Sequence, residues 1–220
     1  MSLSRFLDRR IRQENYRVKL YSGGIAPNPR RVSIFLAEKN LEIETKHFNI
    51  AKLEQKSEEL TKLNPRQRLP VLELDDGTII TETVAICRYI EEFYPEPLLM
   101  GIDPLDRAIV EMWQRRMELE LFMPVAFAFR HLHPVAADLE PIQVRQWGEL
   151  NQGFAKKAMK RLDEELGNRQ YIAGDRFTIA DITAFCSYLF LKPARIDYPL
   201  ELSNLQRWFS EMKDRPSTQV

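Results

Sequence analysis

The chain has 220 residues, of which 44% are hydrophobic and 29% charged, a composition typical of a globular protein with one large or two modest domains. Its 32 Lys and Arg balance its 32 Asp and Glu, and this zero net charge argues against nonspecific nucleic-acid binding as the main function. No apolar run could span a membrane, and a charged N-terminus with two cysteines outside any Cys-x-x-Cys pattern indicates a cytoplasmic protein.

The first half of the chain predicts strands and helices in the order βαβα–ββα. Residues 1–17 form an N-terminal extension, interpreted as a short solvated helix or frayed tail rather than a targeting segment. Asn28 is predicted to cap a helix that has Pro29 in its first position and Asn40 in its C-terminal turn. The predicted elements are a strand over 18–21, a helix over 29–39, a strand over 43–50 and a helix over 53–63.

A β-hairpin follows, and it carries the clearest functional signal. Asp75-Asp76-Gly77 lies between the apolar runs 71–74 and 78–80, and an Asp-Gly turn predicts positive φ at both turn positions. Glu82-Thr83 comes where the second strand passes into a helix over 84–94. A carboxylate beside a hydroxyl and a helix N-terminus can bind an amino acid at both ends: the carboxylate takes the ammonium, and the helix N–H groups take the α-carboxylate.

Beyond a proline-rich linker at 96–103, residues 104–220 read as helical throughout. Asp103-Pro104 predicts a capped helix start, and Pro124 is expected to kink or end that helix. Thr178 and Asp181 form a variant of the capping box at the start of a later helix, which supports the fold and carries no information about substrate. Another helix, closed by Gly167, carries a predicted inward stripe of Leu150, Phe154, Ala158, Leu162 and Leu166.

Three features of the sequence resemble the cytosolic glutathione transferases: Leu69-Pro70 before the hairpin, Glu82-Thr83 after it, and the capping motif over 174–181. They occur in the family's order and spacing, and the resemblance extends from about residue 18 to about 210. It implies an α/β thioredoxin-like N-terminal domain over 18–95 and an all-α C-terminal helical domain over 104–220. It further implies a cis bond between Leu69 and Pro70, and a homodimer.

The resemblance implies that glutathione is the co-substrate and that no metal is needed. Glu82 and Thr83 would hold the γ-glutamyl group, and the Leu69 backbone, exposed by cis Pro70, would pair with the cysteinyl unit like an added strand. The glycine carboxylate would meet Gln55 and Arg68. Two simpler interpretations stand beside these: Glu82-Thr83 acts only as a helix cap, and Gln55 and Arg68 are ordinary solvated side chains.

The sequence departs from the family at the residue that activates the glutathione thiol. Ala26 stands where the usual serine aligns, so the chain resembles an atypical fungal and bacterial subgroup without the usual Tyr, Ser or Cys. Three substitutes are open: the helix N-terminus with Asn28, the hydroxyl of Ser22, or a water held by His131 or His133. The histidines also suit a simple structural role at a polar helix end.

Residues 112–129 are expected to provide the apolar wall for the second substrate, although aromatic and Met residues at helical spacing are often core. Tyr21, Cys87 and Cys186 are predicted to be buried. The favoured function is detoxifying conjugation of the glutathione thiolate to a small hydrophobic electrophile. The alternatives are glutathione-dependent peroxide or disulfide reduction, and a non-catalytic binding module of the same fold. The candidate residues of the wall are Met112, Trp113, Arg116 and Met117.

Overall fold

A computed structural model of the protein describes residues 18–220, and the extension predicted over 1–17 lies outside this range. The chain divides into two compact units, the first ending at Pro97 and the second spanning Leu98–Val220. Among the described residues, no helix combines the length and apolarity needed to cross a membrane.

The first unit is built on a mixed sheet of four strands in the order β2-β1-β3-β4. β1 pairs with β2 in parallel, whereas β1 with β3 and β3 with β4 are antiparallel. The predicted βαβα–ββα order and the thioredoxin-like fold class are confirmed. The strands are β1 (Lys19–Ser22), β2 (Glu44–His47), β3 (Val71–Glu73) and β4 (Ile79–Thr81).

The helix after β1, α1 (Pro27–Glu38), starts two residues earlier than predicted. Ala26, in an extended conformation, occupies the N-cap position that the sequence assigns to Asn28. Pro27 explains the shift, because its fixed φ and missing N–H suit the first helical position as well as Pro29 does. The helix ends as predicted, since Asn40 adopts a left-handed conformation with φ of 51°.

The helix predicted over 53–63 is broken into shorter pieces. Leu53 has a positive φ of 57°, which no regular α-helix accommodates. Ser57 is extended, and its hydroxyl accepts a hydrogen bond from the Leu60 N–H, so it caps a new helix. The resulting elements are two 3₁₀ turns, Ile50–Lys52 and Glu54–Lys56, and α2 (Glu58–Leu63).

The β3–β4 hairpin is confirmed, but its turn differs from the predicted two-residue type. Gly77 has φ of 80°, whereas Asp76 does not have a positive φ. The Gly77 N–H donates to the Leu74 carbonyl at 2.9 Å, and the Leu74 N–H donates to the Thr78 carbonyl at 2.9 Å. This is a longer loop in which glycine alone takes the left-handed position. The unit then continues into α3 (Thr83–Phe93).

The second unit is helical, as predicted. Asp103 caps its first helix, and its side chain accepts a hydrogen bond from the Asp106 N–H at 2.9 Å. Pro124 does not end the helical stretch. A π-helical segment, Met117–Phe122, precedes it, and its wider turn accommodates a residue that has no N–H to donate. The helices are α4 (Pro104–Arg116), α5 (Met123–Leu132), α6 (Arg145–Leu166), α7 (Ile179–Leu189) and α8 (Ser203–Lys213).

The inward face of α6 differs in part from the predicted stripe. Leu150 and Phe154 are 48% and 46% exposed. Gly148 faces the core instead, and a side chain there would lie 2.6 Å from Leu132 Cγ on α5. Small residues therefore face inward where the two helices approach closely, which an apolar pattern does not reveal. The buried residues of α6 are Gly148, Asn151, Ala155, Ala158, Met159, Leu162 and Leu166.

The predicted capping box at the start of α7 is confirmed. Asp181 is fully buried and accepts hydrogen bonds from the backbone N–H groups of Thr178 and Ile172, both at 3.0 Å, and from the Trp208 indole at 2.9 Å. Burial raises the pKa of the Asp181 carboxyl, and these hydrogen bonds oppose the rise. Asp181 therefore joins three separate segments of the helical unit.

Candidate functional site

Strand register brings several predicted site residues to one end of the sheet. Val71 pairs with Tyr21 on one side and with Thr81 on the other. Ser22, Pro70 and Glu82 each adjoin one of these residues, so they lie together at that end. The Thr83 hydroxyl donates to the Asn28 carbonyl at 3.4 Å, which brings the first turn of α1 to the same place.

The Leu69-Pro70 peptide bond is cis, as predicted. Leu69 is 8% exposed, and neither its N–H nor its carbonyl forms a hydrogen bond with any residue that the structure describes. The preceding residue is held in place, because the Asn64 amide donates to the Arg68 carbonyl at 2.9 Å. Unpaired backbone groups on a buried residue are rare, and an extended peptide could pair with them.

Glu82 is an exposed residue in an uncommon backbone conformation, with φ of 70°. It sits at the N-cap of α3, and its carboxylate has no partner among residues 18–220. Strained backbone at non-glycine residues is found disproportionately at functional sites. The N–H groups of Thr83, Val84 and Ala85 likewise have no partner within the range that the structure describes. A free carboxylate and three free N–H groups thus lie within one helical turn.

The N-terminus of α1 offers far fewer donors. Pro27 and Pro29 have no N–H, and the Arg30 N–H donates to the Ala26 carbonyl at 2.9 Å. Within the first turn, the Asn28 N–H is left as the donor without a partner among the described residues. The Asn28 side-chain oxygen accepts from Arg31 Nη1 at 3.1 Å, whereas, among the residues described, its Nδ2 group remains available as a side-chain donor. Backbone hydrogen bonds from the N-terminus of α1 to an anion therefore depend on one N–H group, that of Asn28.

Ser22 is buried at the end of β1. Its Oγ accepts a hydrogen bond from the Gly24 N–H at 3.3 Å, and its carbonyl accepts from the Phe48 N–H at 2.8 Å. Both bonds hold the residue in the turn that leads into α1. Ser22 thus lies near Asn28 along the chain, but its side chain already has a local structural role.

Gln55 and Arg68 have hydrogen-bonding capacity that the described part of the protein does not use. Gln55 is 5% exposed, and neither its amide oxygen nor its amide nitrogen has a partner among residues 18–220. A buried amide in this state is costly, so a ligand or a side-chain rotation that satisfied it would be favourable. Arg68 is exposed, and its guanidinium has no partner in the described part of the chain.

His131 and His133 lie at the C-terminal end of α5, in the second unit. The Nδ1 of His131 accepts from the Val144 N–H at 3.1 Å, just before α6. The Nδ1 of His133 accepts from the Val135 N–H at 3.2 Å. A neutral imidazole that accepts at Nδ1 carries its proton on Nε2, so each ring can donate to a water but has its lone pair occupied.

The four residues predicted to face the second substrate have different environments. Trp113 and Met117 are buried within the second unit, whereas Met112 is 40% exposed. The Arg116 guanidinium lies 4.7 Å from the centre of the Trp113 ring, and Arg169 lies 4.6 Å from the same ring. Trp113 is therefore a core residue contacted by two cations, and Met112 is the apolar member of the set that solvent reaches.

The predicted buried residues are found in the core. Tyr21 is buried, and its hydroxyl donates to Glu73 at 2.5 Å. Cys87 and Cys186 are free and buried, and burial raises the pKa of the Cys87 thiol to about 12. No three His, Cys, Asp or Glu side chains within residues 18–220 form a group suited to a metal ion.

Sequence reasoning missed two features of the site: the role of Pro27 and the backbone strain at Glu82. The first was visible, because Pro27 can occupy the first helical position as well as Pro29 can. The positive φ at Glu82 has no signal in the sequence, since it arises from the geometry that joins β4 to α3.

A thioredoxin-like unit followed by a helical unit is the domain arrangement expected of the glutathione transferase class. Family models agree: the glutathione S-transferase N-terminal domain matches residues 16–92, and the C-terminal domain matches residues 151–216. Glutathione S-transferase 2 of Saccharomyces cerevisiae is 37% identical over 201 residues, which cover 90% of this chain and 86% of that protein.

Solved structures lead to the same family. The crystal structure of Gtt2 from Saccharomyces cerevisiae has a TM-score of 0.86 at 37% identity, covering 91% of this chain and 98% of that chain. A Gtt2-class glutathione S-transferase of Vibrio parahaemolyticus has a TM-score of 0.80 at 34% identity, covering 91% and 95%. The chain belongs to the glutathione S-transferase family and is a glutathione transferase.

Proposed function

We propose that the protein binds glutathione at the end of the sheet and conjugates its thiolate to a small hydrophobic electrophile. The observation that carries the proposal is the set of unpaired groups there: the Leu69 backbone, the Glu82 carboxylate and the N–H groups of residues 83–85. Each is matched by a group of opposite polarity on glutathione. Residues 18–95 would be the glutathione-binding domain, and 104–220 the helical domain after a linker at 96–103.

The assigned roles follow from charge and hydrogen-bonding polarity. Glu82 would accept hydrogen bonds from the γ-glutamyl ammonium, and the first turn of α3, with Thr83, would bind the γ-glutamyl α-carboxylate. Leu69, preceding Pro70, would pair with the cysteinyl unit through its backbone. The glycine carboxylate would be bound by the guanidinium of Arg68 and, after a rotation that exposes its amide, by Gln55.

The thiolate would be stabilised mainly by the N–H of Asn28 and the positive end of α1. Ala26 has no side-chain donor, and Ser22 Oγ accepts from the Gly24 N–H, so the hydroxyl proton of Ser22 remains a second candidate beside the Asn28 N–H. His131 and His133 remain candidates for holding a water through Nε2–H, although their occupied lone pairs argue against a direct role as general base. This assignment supports membership of the atypical subgroup.

The electrophile would contact Met112, the solvent-accessible apolar residue of the predicted wall. Trp113 and Met117 would support it from the core of the helical unit, and Arg116 would act through its contact with Trp113. A cytoplasmic location and a homodimeric state are further parts of the proposal. They are supported by membership of the family.

Glu82→Gln tests the binding site directly. Removing one charge from a charge-assisted hydrogen bond costs on the order of 1.5–3 kcal/mol, so calorimetry should show glutathione binding at least about tenfold weaker. Glu92→Gln, an exposed acid near the other end of α3, is the matched control and should leave affinity unchanged. Equal affinity for both variants and the wild type would remove Glu82 from the site.

The thiolate assignment is tested by the pKa of bound glutathione, followed through thiolate absorbance. Ser22→Ala, His131→Ala and His133→Ala should each keep the bound thiol pKa depressed if the Asn28 N–H is the main stabiliser. A pKa that rises in Ser22→Ala alone would establish a serine mechanism instead. A rise in either histidine variant, with turnover about 10²–10⁴-fold slower, would establish the held water.

Activity assays separate conjugation from the alternatives. An aromatic electrophile should be turned over faster than an organic hydroperoxide or a glutathione mixed disulfide. Binding of glutathione without turnover of any of the three would identify a non-catalytic module.

A further inference from the structure

Lys39, at the C-terminal end of α1, has a fully buried side chain, with 0% of its surface exposed. Its ammonium lies 2.6 Å from Glu91 Oε2, 2.8 Å from the Pro97 carbonyl and 3.2 Å from the Pro95 carbonyl. The two contacts with backbone carbonyls are hydrogen bonds, whereas the contact with Glu91 is an ion pair that lacks hydrogen-bond geometry. The Phe35 ring covers the remaining side, with its centre 5.1 Å from Nζ.

This ammonium connects three segments of the first unit: the end of α1, the last turn of α3, and the residues just before Leu98. At the opposite ends of the same two helices, Thr83 donates to the Asn28 carbonyl. α1 and α3 are thus joined at both ends, by one hydrogen bond where the candidate site lies and by a buried ion pair at the far ends.

A buried ion pair is an inefficient way to gain stability. Desolvation of both charges offsets much of their attraction, and well-packed apolar side chains of similar size are often equally stabilising. The hydrogen bonds to the carbonyls of Pro95 and Pro97 are directional, however, and Pro95 follows directly after the C-cap of α3, so they define one position of α1 against the end of α3. An apolar contact at this place would tolerate sliding and rotation of α1 against α3.

We infer that Lys39 is a positioning residue for glutathione binding. It holds α1 and α3 in the relative position at which the Asn28 N–H and the N–H groups of residues 83–85 can donate hydrogen bonds to the same ligand molecule. This inference rests on the proposed function, because those groups are its glutathione site. Lys39 itself, at the far end of α1, touches no ligand in this arrangement.

The test uses Lys39→Met and the double variant Lys39→Met/Glu91→Met. The single variant leaves the Glu91 carboxylate without its ammonium, so it should lose stability, whereas the double variant removes both charges and should recover much of it. Glutathione affinity is measured by calorimetry, with circular dichroism confirming that each variant is folded under the assay conditions. Lys46→Met, which breaks the exposed pair of Lys46 with Glu59, is the matched control.

The single and the double variant should both bind glutathione about two- to twentyfold more weakly than the wild type. In the double variant this loss of affinity should persist although stability is recovered. The pKa of the bound thiol should rise, and KM for glutathione should increase while KM for the electrophile stays unchanged. Affinity that recovers together with stability in the double variant would overturn the inference and leave Lys39 a purely structural residue. Wild-type protein that binds no glutathione would overturn the proposed function as well.

Discussion

The hydroxyl of Thr83 donates a hydrogen bond to the backbone carbonyl of Asn28, 3.4 Å away, and joins the first turns of α3 and α1. The two residues are 55 positions apart in the chain. Through this contact the helix whose N–H groups are suited to a carboxylate lies beside the helix whose single free N–H is suited to a thiolate. The contact is long for a hydroxyl donor, so it is expected to be weak.

Thr83→Val should cost at most about 1 kcal/mol of stability, because it removes the donor of this weak, part-buried hydrogen bond without changing side-chain shape. It should also weaken glutathione binding by a few-fold, as α1 and α3 lose their connection at the site. Thr83→Ser keeps the hydroxyl and should preserve both properties. Urea unfolding and calorimetry on the pair would decide, and identical behaviour of the valine and serine variants would show that the hydroxyl is dispensable.

Glu82→Gly should separate stability from function. A non-glycine residue at positive φ costs about 1–3 kcal/mol, and glycine relieves this strain but adds about 0.5–1 kcal/mol of unfolded-state entropy. The variant should therefore be more stable than the wild type by about 1 kcal/mol in urea unfolding, yet bind glutathione poorly. Glu92→Gly, near the C-terminal end of α3, should be less stable than the wild type. A loss of stability in Glu82→Gly would show that its backbone is unstrained.

Alkaline pH should reveal the contact of Tyr21 with Glu73. Burial, followed by the hydrogen bond to Glu73, raises the pKa of Tyr21 to about 12, above its ordinary value of 10.0. Because the folded state holds the phenol proton more tightly, this stabilisation is complete below pH 10 and is lost as the pH rises toward 12. The stability advantage of the wild type over Tyr21→Phe should shrink across that range, by on the order of 1–2 kcal/mol.

Urea unfolding of both proteins at several pH values between 9 and 11.5 would measure the advantage. Working with the difference between the two proteins cancels the titration of the other tyrosines and lysines. A constant difference across the range would contradict the raised pKa.

Neither cysteine should react in the native protein. Cys87 and Cys186 are buried, and the Cys87 thiol, with a pKa of about 12, has almost no thiolate at neutral pH. Ellman's reagent should label none of the thiols quickly in buffer and both in guanidinium chloride. Rapid labelling of one thiol in the native state would reopen an enzyme-thiol mechanism for disulfide reduction.

The elements that the sequence predicted well are those governed by local chemistry. Asp103-Pro104 and the Thr178–Asp181 box start their helices as expected, because capping depends on side chains that reach the adjacent backbone. The hairpin over 71–81 was predicted for the same reason, although its turn type was wrong. The start of α1 was misplaced because two prolines, Pro27 and Pro29, compete for the same position.

The residue types of the candidate site were present in the sequence, but their arrangement was not. An acid before a helix start, an X-Pro bond before a strand and a helix opened by two prolines are local patterns, and each could be read from the chain alone. Their meeting at one end of the sheet required the pairing of Val71 with both Tyr21 and Thr81, which depends on residues far apart in sequence.

Tertiary structure alone decided the environments of the long side chains. Whether Leu150 faces the core or solvent depends on how closely α5 approaches α6 at Gly148, and periodicity carries no information about that distance. The same holds for Lys39, whose position near a helix end suggests a solvated cation. Its burial follows from Glu91, Pro95 and Pro97, which the fold brings to it from more than 50 residues away.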